Sequence, residues 1–117
     1  MIVDDNVDAA QLLADLLEEL GYRVTVVADG QSALAASTDA LVEVFILDIG
    51  LPGMDGYTLA RRLRAAPATA SALIIALTGY GQAHDRMLSK AAGFDHHFVK
   101  PIDLEQLTGV LAQAHQA

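Results

Sequence analysis

The sequence contains no cysteine and little basic charge, and each shortage excludes a kind of chemistry. Without cysteine the chain can form neither a disulfide nor a thiolate centre, which suits a cytoplasmic protein. Seven basic residues against fifteen acidic ones give a net charge of −8, so we expect no direct contact with nucleic acid or membrane. The sequence also lacks a run of eighteen apolar residues and a signal-peptide pattern, so we expect neither a transmembrane helix nor a signal peptide.

What the sequence does contain is enough apolar material for one core. Hydrophobic residues make up 53% of its 117 residues, which suits a single compact domain spanning residues 1–117. The first apolar segment, residues 2–3, is short, and we expect it to be a truncated first strand.

Two hydrophobic periods alternate along the chain, one typical of strands and one typical of helices. Strands are predicted over residues 2–3, 23–27, 44–47, 73–77 and 96–99. Helices are predicted around a stripe of Leu13, Leu16, Leu17 and Leu20, and then over residues 30–37, 57–64, 82–92 and from 104 onward. Continuous apolar strands that alternate with helices indicate a parallel sheet covered on both faces. We therefore predict an α/β fold, the flavodoxin-like (βα)5 three-layer sandwich with a five-stranded parallel sheet in the order 2-1-3-4-5.

Polar side chains follow four of the predicted strands at the point where each strand ends. Asp4 and Asp5 follow the first strand, Asp48 the third, Thr78 the fourth and Lys100 the fifth. In the predicted strand order these four strands are neighbours, and their carboxyl ends meet at one edge of the sheet. We expect the five side chains to share one pocket.

Three carboxylates in one pocket need a compensating charge. Two unit charges about 4 Å apart repel by roughly 4 kcal/mol at an effective dielectric constant of about 20. Either a pKa rises or a cation binds, and a site made only of oxygen ligands favours a hard ion such as Mg²⁺. Mg²⁺ beside a lysine and a threonine is suited to stabilising a phosphoryl group in transfer, and the central Asp48 is best placed to accept it.

Four short motifs lie in the order and spacing of a known family. They are V-D-D-N at 3–6, I-L-D-I-G-L-P-G-M-D-G at 46–56, L-T-G at 77–79 and F-V-K-P at 98–101. Through these four motifs the chain resembles the receiver domain of two-component response regulators, and the resemblance covers essentially its whole length. The residue patterns at 77–81 and 95–101 are most similar to those of receivers attached to hybrid histidine kinases.

The resemblance implies a role for each residue of the predicted pocket. By it, Asp48 accepts the phosphoryl group, Thr78 hydrogen-bonds that group and Lys100 pairs with it. The Mg²⁺ ligands that it implies are Asp4, Asp5, Asp48 and the backbone carbonyl of Gly50. It also implies a cis peptide bond between Lys100 and Pro101.

The resemblance further implies partners and an output. The phosphoryl donor would be a phosphohistidine on a histidine kinase or on a histidine phosphotransfer protein. Phosphorylation would change the surface formed by the fourth helix, the fifth strand and the fifth helix. Such a domain phosphorylates and dephosphorylates itself, and it works as a switch, not as an enzyme with turnover. Other domains of a larger parent chain are further expected partners.

Three other functions fit parts of the sequence. A Mg²⁺-dependent phosphatase with an aspartate nucleophile needs a second acid two residues after Asp48, where the chain has Gly50. A flavodoxin-like flavin carrier needs a hydroxyl-rich loop after the first strand, where the chain has acids. A degenerate receiver, which signals without phosphate, is disfavoured because all five expected side chains are present.

The histidines do not predict a metal site. His96 and His97 are neighbours in a strand and should point to opposite faces of the sheet. His97 stands three residues before Lys100, where receivers commonly carry a tyrosine or phenylalanine whose rotamer reports phosphorylation. As a hypothesis, His97 makes the output face respond to pH, because histidine titrates near pH 6.5.

Overall fold

In a computed structural model, which describes residues 1–39, 41–79 and 86–115, strands and helices alternate along the chain. The strands are β1 (Ile2–Val3), β2 (Val26–Val27), β3 (Val44–Asp48), β4 (Leu73–Thr78) and β5 (His96–Val99). The helices are α1 (Val7–Glu19), α2 (Gly30–Asp39), α3 (Gly56–Ala65), α4 (Arg86–Ala92) and α5 (Leu104–His115). No helix in the described part of the chain is long and apolar enough to span a bilayer.

The five strands form one parallel sheet in the order β2-β1-β3-β4-β5, which confirms the predicted flavodoxin-like fold. The second strand is shorter than the predicted 23–27. Strand β2 lies at the edge of the sheet and pairs only with β1, which itself has two residues, Ile2 and Val3. Because β1 offers two residues for pairing, the paired part of β2 is limited to Val26 and Val27.

Helices cover both faces of the sheet, and each face has its own apolar cluster. On one face Phe45 and Leu47 pack against α2, α3 and α4, and on the other Ile46 packs against α1 and α5. Phe45 and Leu47 are fully buried, and burying one such side chain contributes roughly 1.5–3 kcal/mol. The central strand β3 is thereby fixed from both sides, and its last residue, Asp48, is held at the edge of the sheet.

The buried stripe of α1 differs from the predicted one. Leu17 is buried and Leu13 is half-buried, but Leu16 and Leu20 are exposed. The side chains facing the sheet are Ala10, Leu13, Ala14 and Leu17, which repeat at the same helical spacing three residues earlier. The sequence pattern fits both stripes. The buried stripe includes the small side chains of Ala10 and Ala14, whereas two leucines of the predicted stripe remain exposed.

The ends of several helices carry the expected signals. Gly21 and Gly93 follow α1 and α4 with φ of 97° each, a conformation that glycine adopts without strain. Asp103 caps α5, because its Oδ1 accepts from the backbone N–H of Glu105 at 2.9 Å and of Gln106 at 3.3 Å. Helix α4 is described from Arg86, and residues 82–85 of its predicted span lie outside the described residues.

Arg64 joins α3 to the segment before β5, at the edge of the sheet where the strands begin, opposite the edge that carries Asp48. Its Nε and Nη2 donate to the Gly93 carbonyl at 3.0 and 2.7 Å, and Nη2 also pairs with Asp95 Oδ2 at 2.7 Å. Its Nη1 donates to the carbonyls of Ala70 and Ala72 at 2.9 and 2.5 Å. All five N–H donors of the guanidinium are used within the fold.

Candidate functional site

Asp48 lies at the carboxyl end of β3, buried except for about 8% of its surface. Its Oδ1 accepts a hydrogen bond from the backbone N–H of Gly50 at 2.9 Å, which fixes the carboxylate against the following loop. The start of α3 also approaches closely, because a Cβ on Gly56 would lie 2.8 Å from the Asp48 carbonyl oxygen and 2.7 Å from Ile49 Cα. Only glycine fits there.

Asp4 and Asp5 follow β1, the strand next to β3. Asp4 is buried and its Oδ1 accepts from the Asn6 backbone N–H at 3.0 Å, whereas Asp5 is exposed. One carboxylate oxygen from each of Asp4, Asp5 and Asp48 lies within 4.8 Å of the others. This all-oxygen cluster, open to solvent on the Asp5 side, fits a hard divalent ion that keeps some of its water, such as Mg²⁺.

Lys100, next after β5, reaches two of these carboxylates. Its Nζ donates to Asp4 Oδ2 at 2.8 Å and lies 3.4 Å from Asp48 Oδ2. The peptide bond from Lys100 to Pro101 is cis, as predicted. One ammonium faces three carboxylates, so the pocket keeps an excess of negative charge.

The electrostatics of Asp48 and Lys100 are coupled through this contact. Burial raises the pKa of Asp48 above its ordinary value, although the Gly50 N–H and the charge of Lys100 act in the opposite direction. Burial by itself lowers the pKa of Lys100, but its hydrogen bond to Asp4 and the charge of Asp48 outweigh burial and raise it. A further cation in the pocket would favour the ionised form of Asp48.

Thr78 ends β4 and is almost completely buried. Its backbone carbonyl accepts from the Lys100 N–H at 2.7 Å, so the ends of β4 and β5 are tied together. Its hydroxyl lies 2.8 Å from Nε2 of His97. The sequence patterns singled out both Thr78 and His97 but did not predict the hydrogen bond between them. The β4–β5 register, which sets Ala76 opposite His97, is the signal that would have revealed it.

The strand ends thus bring together the residues that the sequence proposed for one site. The carboxylates of Asp4, Asp5 and Asp48 and the ammonium of Lys100 form one pocket, and Thr78 lies on the strand between Asp48 and Lys100. The structure places the Gly50 N–H against Asp48. A buried carboxylate, an acidic cluster that could hold a cation and two groups that can contact an anion match the requirements of phosphoryl transfer to an aspartate.

The sequence matches the family model of the response regulator receiver domain over residues 1–112. The chain belongs to this family, whose members act as phosphoacceptor signalling switches in two-component systems.

Solved structures of the same fold include response regulators and sensor kinases. A protein described as a response regulator from Chloroflexus aurantiacus is 33% identical, with a TM-score of 0.90 over 99% of this chain and 95% of that one. The receiver domain of sensor histidine kinase PA1611 from Pseudomonas aeruginosa, solved with magnesium in its active site cleft, is 32% identical. Its TM-score is 0.87, over 99% of this chain and 95% of that one.

A curated relative is considerably longer than this chain. The DNA-binding dual master transcriptional regulator RpaA from Synechocystis is 33% identical over 92% of this chain. The match covers 44% of RpaA, so the chain spans less than half the length of that relative.

Proposed function

We propose that Asp48 is the phosphoacceptor of this receiver domain, and that the chain takes its phosphoryl group from a phosphohistidine on a histidine kinase or a histidine phosphotransfer protein. The observation that carries this proposal is the pocket itself, in which the buried Asp48 carboxylate lies within 3.4 Å of Lys100 and beside two further acids. A carboxylate with a purely structural role would need neither the two neighbouring acids nor the lysine.

The transfer step uses the groups that surround Asp48. A carboxylate oxygen of Asp48 forms a bond to phosphorus as the N–P bond of the donor breaks, and that electron pair stays on the imidazole nitrogen. Lys100 neutralises part of the charge on the transferred group, and the hydroxyl of Thr78 donates a hydrogen bond to one of its oxygens. Water later attacks phosphorus, the bond from phosphorus to the Asp48 oxygen breaks, and inorganic phosphate leaves the restored carboxylate.

The ion that this chemistry needs would be held by Asp4, Asp5, Asp48 and the backbone carbonyl of Gly50. A bound Mg²⁺ would supply positive charge that offsets the charge of the phosphoryl oxygens and favours the ionised form of Asp48. The chain would contribute the buried Asp4, fixed by the Asn6 N–H, and the exposed Asp5.

The output follows from the position of Thr78 and Lys100. Both belong to the β4–β5 edge of the pocket, and both would move toward the charge gained at Asp48. We propose that this movement changes the surface formed by α4, β5 and α5, which a partner protein or another domain of a larger parent chain then binds. The domain would act in the cytoplasm and would not touch nucleic acid or membrane itself.

Intact-mass spectrometry after incubation with acetyl phosphate and Mg²⁺ tests this proposal. We expect one added phosphoryl group on the wild-type chain and none on Asp48→Asn. Asp15→Asn, a change at an exposed acid of α1, is the matched control and should be phosphorylated like the wild type. Phosphorylation of Asp48→Asn would refute the assignment. Steady release of phosphate over many turnovers would instead indicate a phosphatase.

A further inference from the structure

In the hydrogen bond between Thr78 and His97, the protonation state of the histidine ring decides which side chain is the donor. Thr78 Oγ1 and His97 Nε2 are 2.8 Å apart, and the threonine side chain is almost completely buried. Thr78 stands two residues beyond Ala76, the residue paired with His97, so the two side chains meet diagonally on one face of the sheet. Neither the sequence motifs nor the proposed transfer step uses this bond.

A threonine hydroxyl has one proton to donate and two lone pairs that accept. Imidazole Nε2 accepts when the ring is neutral with its proton on Nδ1, and donates when Nε2 itself carries a proton. Between Thr78 and His97 the bond can therefore run in either direction. A phosphoryl group presents only acceptor oxygens at neutral pH. When Thr78 donates to such an oxygen, its proton is used, and toward His97 it can only accept.

We propose that His97 is a positioning residue for Thr78, and that it becomes the donor in this bond when Asp48 carries a phosphoryl group. The inference rests on the proposed function. Phosphorylation selects the forms of His97 that carry a proton on Nε2, namely one neutral tautomer and the imidazolium. Because linkage is reciprocal, protonation of His97 in turn favours the phosphorylated state in which Thr78 faces the phosphoryl group.

Other charges around this bond oppose or support the imidazolium. Strand β4 carries no ionisable side chain, and His96 should project to the opposite face of the sheet. Among the side chains that the structure describes, the cationic residues on the neighbouring elements are Lys90 of α4 and Lys100 after β5. These cations disfavour a further positive charge on His97, whereas Asp48 and its phosphoryl group favour one. Phosphorylation therefore adds the charge that allows His97 to protonate.

Nitrogen NMR of the full chain labelled in histidine tests the proposal directly. The ring nitrogen shifts are recorded between about pH 5.5 and 8, around the ordinary histidine titration, with Mg²⁺ alone and with Mg²⁺ plus beryllium fluoride as a stand-in for the phosphoryl group. The His97 signals are assigned by their loss in His97→Gln. We expect a proton on Nε2 in the loaded form and a titration midpoint about one unit higher, a tenfold change in proton affinity.

Two results would overturn the proposal. One is a loaded protein whose neutral His97 keeps its proton on Nδ1, and the other is a titration midpoint that does not move. His96, whose side chain should lie on the other face of the sheet, is the internal control for effects of loading that do not pass through Thr78. In Thr78→Val, which removes the hydroxyl and keeps the shape, the His97 midpoint should respond to loading by less than half of the wild-type shift.

The lifetime of the phosphorylated form separates a positioning role from a purely structural one. His97→Gln keeps a side-chain N–H donor at every pH, so it should hold Thr78 but lose the dependence of the lifetime on proton uptake by His97. His97→Phe offers no donor and should shorten the lifetime two- to tenfold at pH near 6. Equal lifetimes for His97→Phe and wild type at that pH would contradict the proposal.

The mass measurement distinguishes this inference from the proposed function. If the wild-type chain gains no phosphoryl group, the phosphoacceptor assignment fails and the inference falls with it. If the chain is phosphorylated on Asp48 but His97 does not respond, only the inference about His97 is wrong.

Discussion

Lys100 Nζ and Asp4 Oδ2 are 2.8 Å apart, although the two residues are 96 positions apart in the sequence and two strands lie between β1 and β5 in the sheet. The lysine side chain therefore crosses the ends of β3 and β4, and on its way it comes within 3.4 Å of Asp48. This single side chain joins the first and last strands of the pocket, so the charge balance of the whole site depends on it.

Replacing Lys100 by methionine should lower the free energy of unfolding by about 1–3 kcal/mol at neutral pH, because two buried carboxylates lose their cation. Urea unfolding measures this loss. The folded state raises the pKa of Lys100, so the contribution of its charge is fully present at neutral pH and is lost only as pH rises through that raised pKa. Lys90→Met, at an exposed position of α4, should change stability by less than about 0.5 kcal/mol.

Replacing Asp48 by asparagine should raise the melting temperature at pH 7 by a few degrees. Burial raises the pKa of Asp48 in the folded state, so folding disfavours its ionised form and this cost is present at neutral pH. The cost disappears as pH falls through the raised pKa, and the difference from wild type should shrink there. After allowance for solvent screening the effect is about 1 kcal/mol or less. A fixed difference between pH 4 and 7, or a lower melting temperature at pH 7, would contradict this.

Mg²⁺ should stabilise the protein by binding the acidic pocket. At a free concentration one hundred times the dissociation constant, the gain is about 2.7 kcal/mol. Thermal unfolding with and without Mg²⁺ measures it, and calorimetric titration gives the affinity without any phosphoryl donor. Asp5→Asn should weaken binding at least tenfold, whereas Asp15→Asn should not. Equal Mg²⁺ affinity in Asp5→Asn and wild type would exclude Asp5 as a ligand.

Lysine should not replace Arg64. The guanidinium uses five donors at once, and a lysine ammonium, with three, cannot span the same set of carbonyls. We expect Arg64→Lys to lower the free energy of unfolding by about 1–3 kcal/mol, because carbonyls that Arg64 now holds lose their partner. Arg62→Lys, at an exposed position on the same helix, should leave urea unfolding nearly unchanged. Similar midpoints for the two variants would show that the Arg64 contacts add little.

Alanine should have opposite effects at two helical glycines. At Gly56 the new Cβ would lie 2.7 Å from Ile49 Cα and 2.8 Å from the Asp48 carbonyl oxygen, so backbone must shift. Gly56→Ala should cost about 1–3 kcal/mol and slow phosphorylation of Asp48 by displacing it. At Gly109, exposed in α5, nothing lies within 4 Å, and Gly109→Ala should stabilise by about 0.5–1 kcal/mol. Unfolding curves and phosphorylation rates of the pair check both signs.

The fold could be predicted from the sequence because strand and helix patterns alternate without a break, and parallel sheets of this kind adopt few strand orders. The buried strands around Phe45 and Ile75 carry that signal in continuous apolar runs. The stripe of α1 could not be settled, because Leu16 and Leu20 fit the same periodicity as the residues that are buried. Which stripe faces the sheet depends on packing against distant residues, which the local pattern does not contain.

The part of the pocket formed by residues at the carboxyl ends of strands could be predicted from the sequence. Asp48 and Lys100 each follow a recognisable strand, so their neighbourhood follows from topology. The hydrogen bond from Thr78 to His97 and the five contacts of Arg64 could not be predicted, because they depend on rotamers and on register across strands. The sequence contains these residues but carries no periodic signal for their partners.

The contacts of Arg64 also bear on the proposed output surface. Helix α4 ends at Ala92, and the next carbonyl, that of Gly93, is clamped by two nitrogens of Arg64. That end of the helix lies at the edge of the sheet away from Asp48, beside the start of β4. If the proposed output moves α4, these contacts should hold its last turn in place, so that the helix tilts about that end and does not slide along its axis.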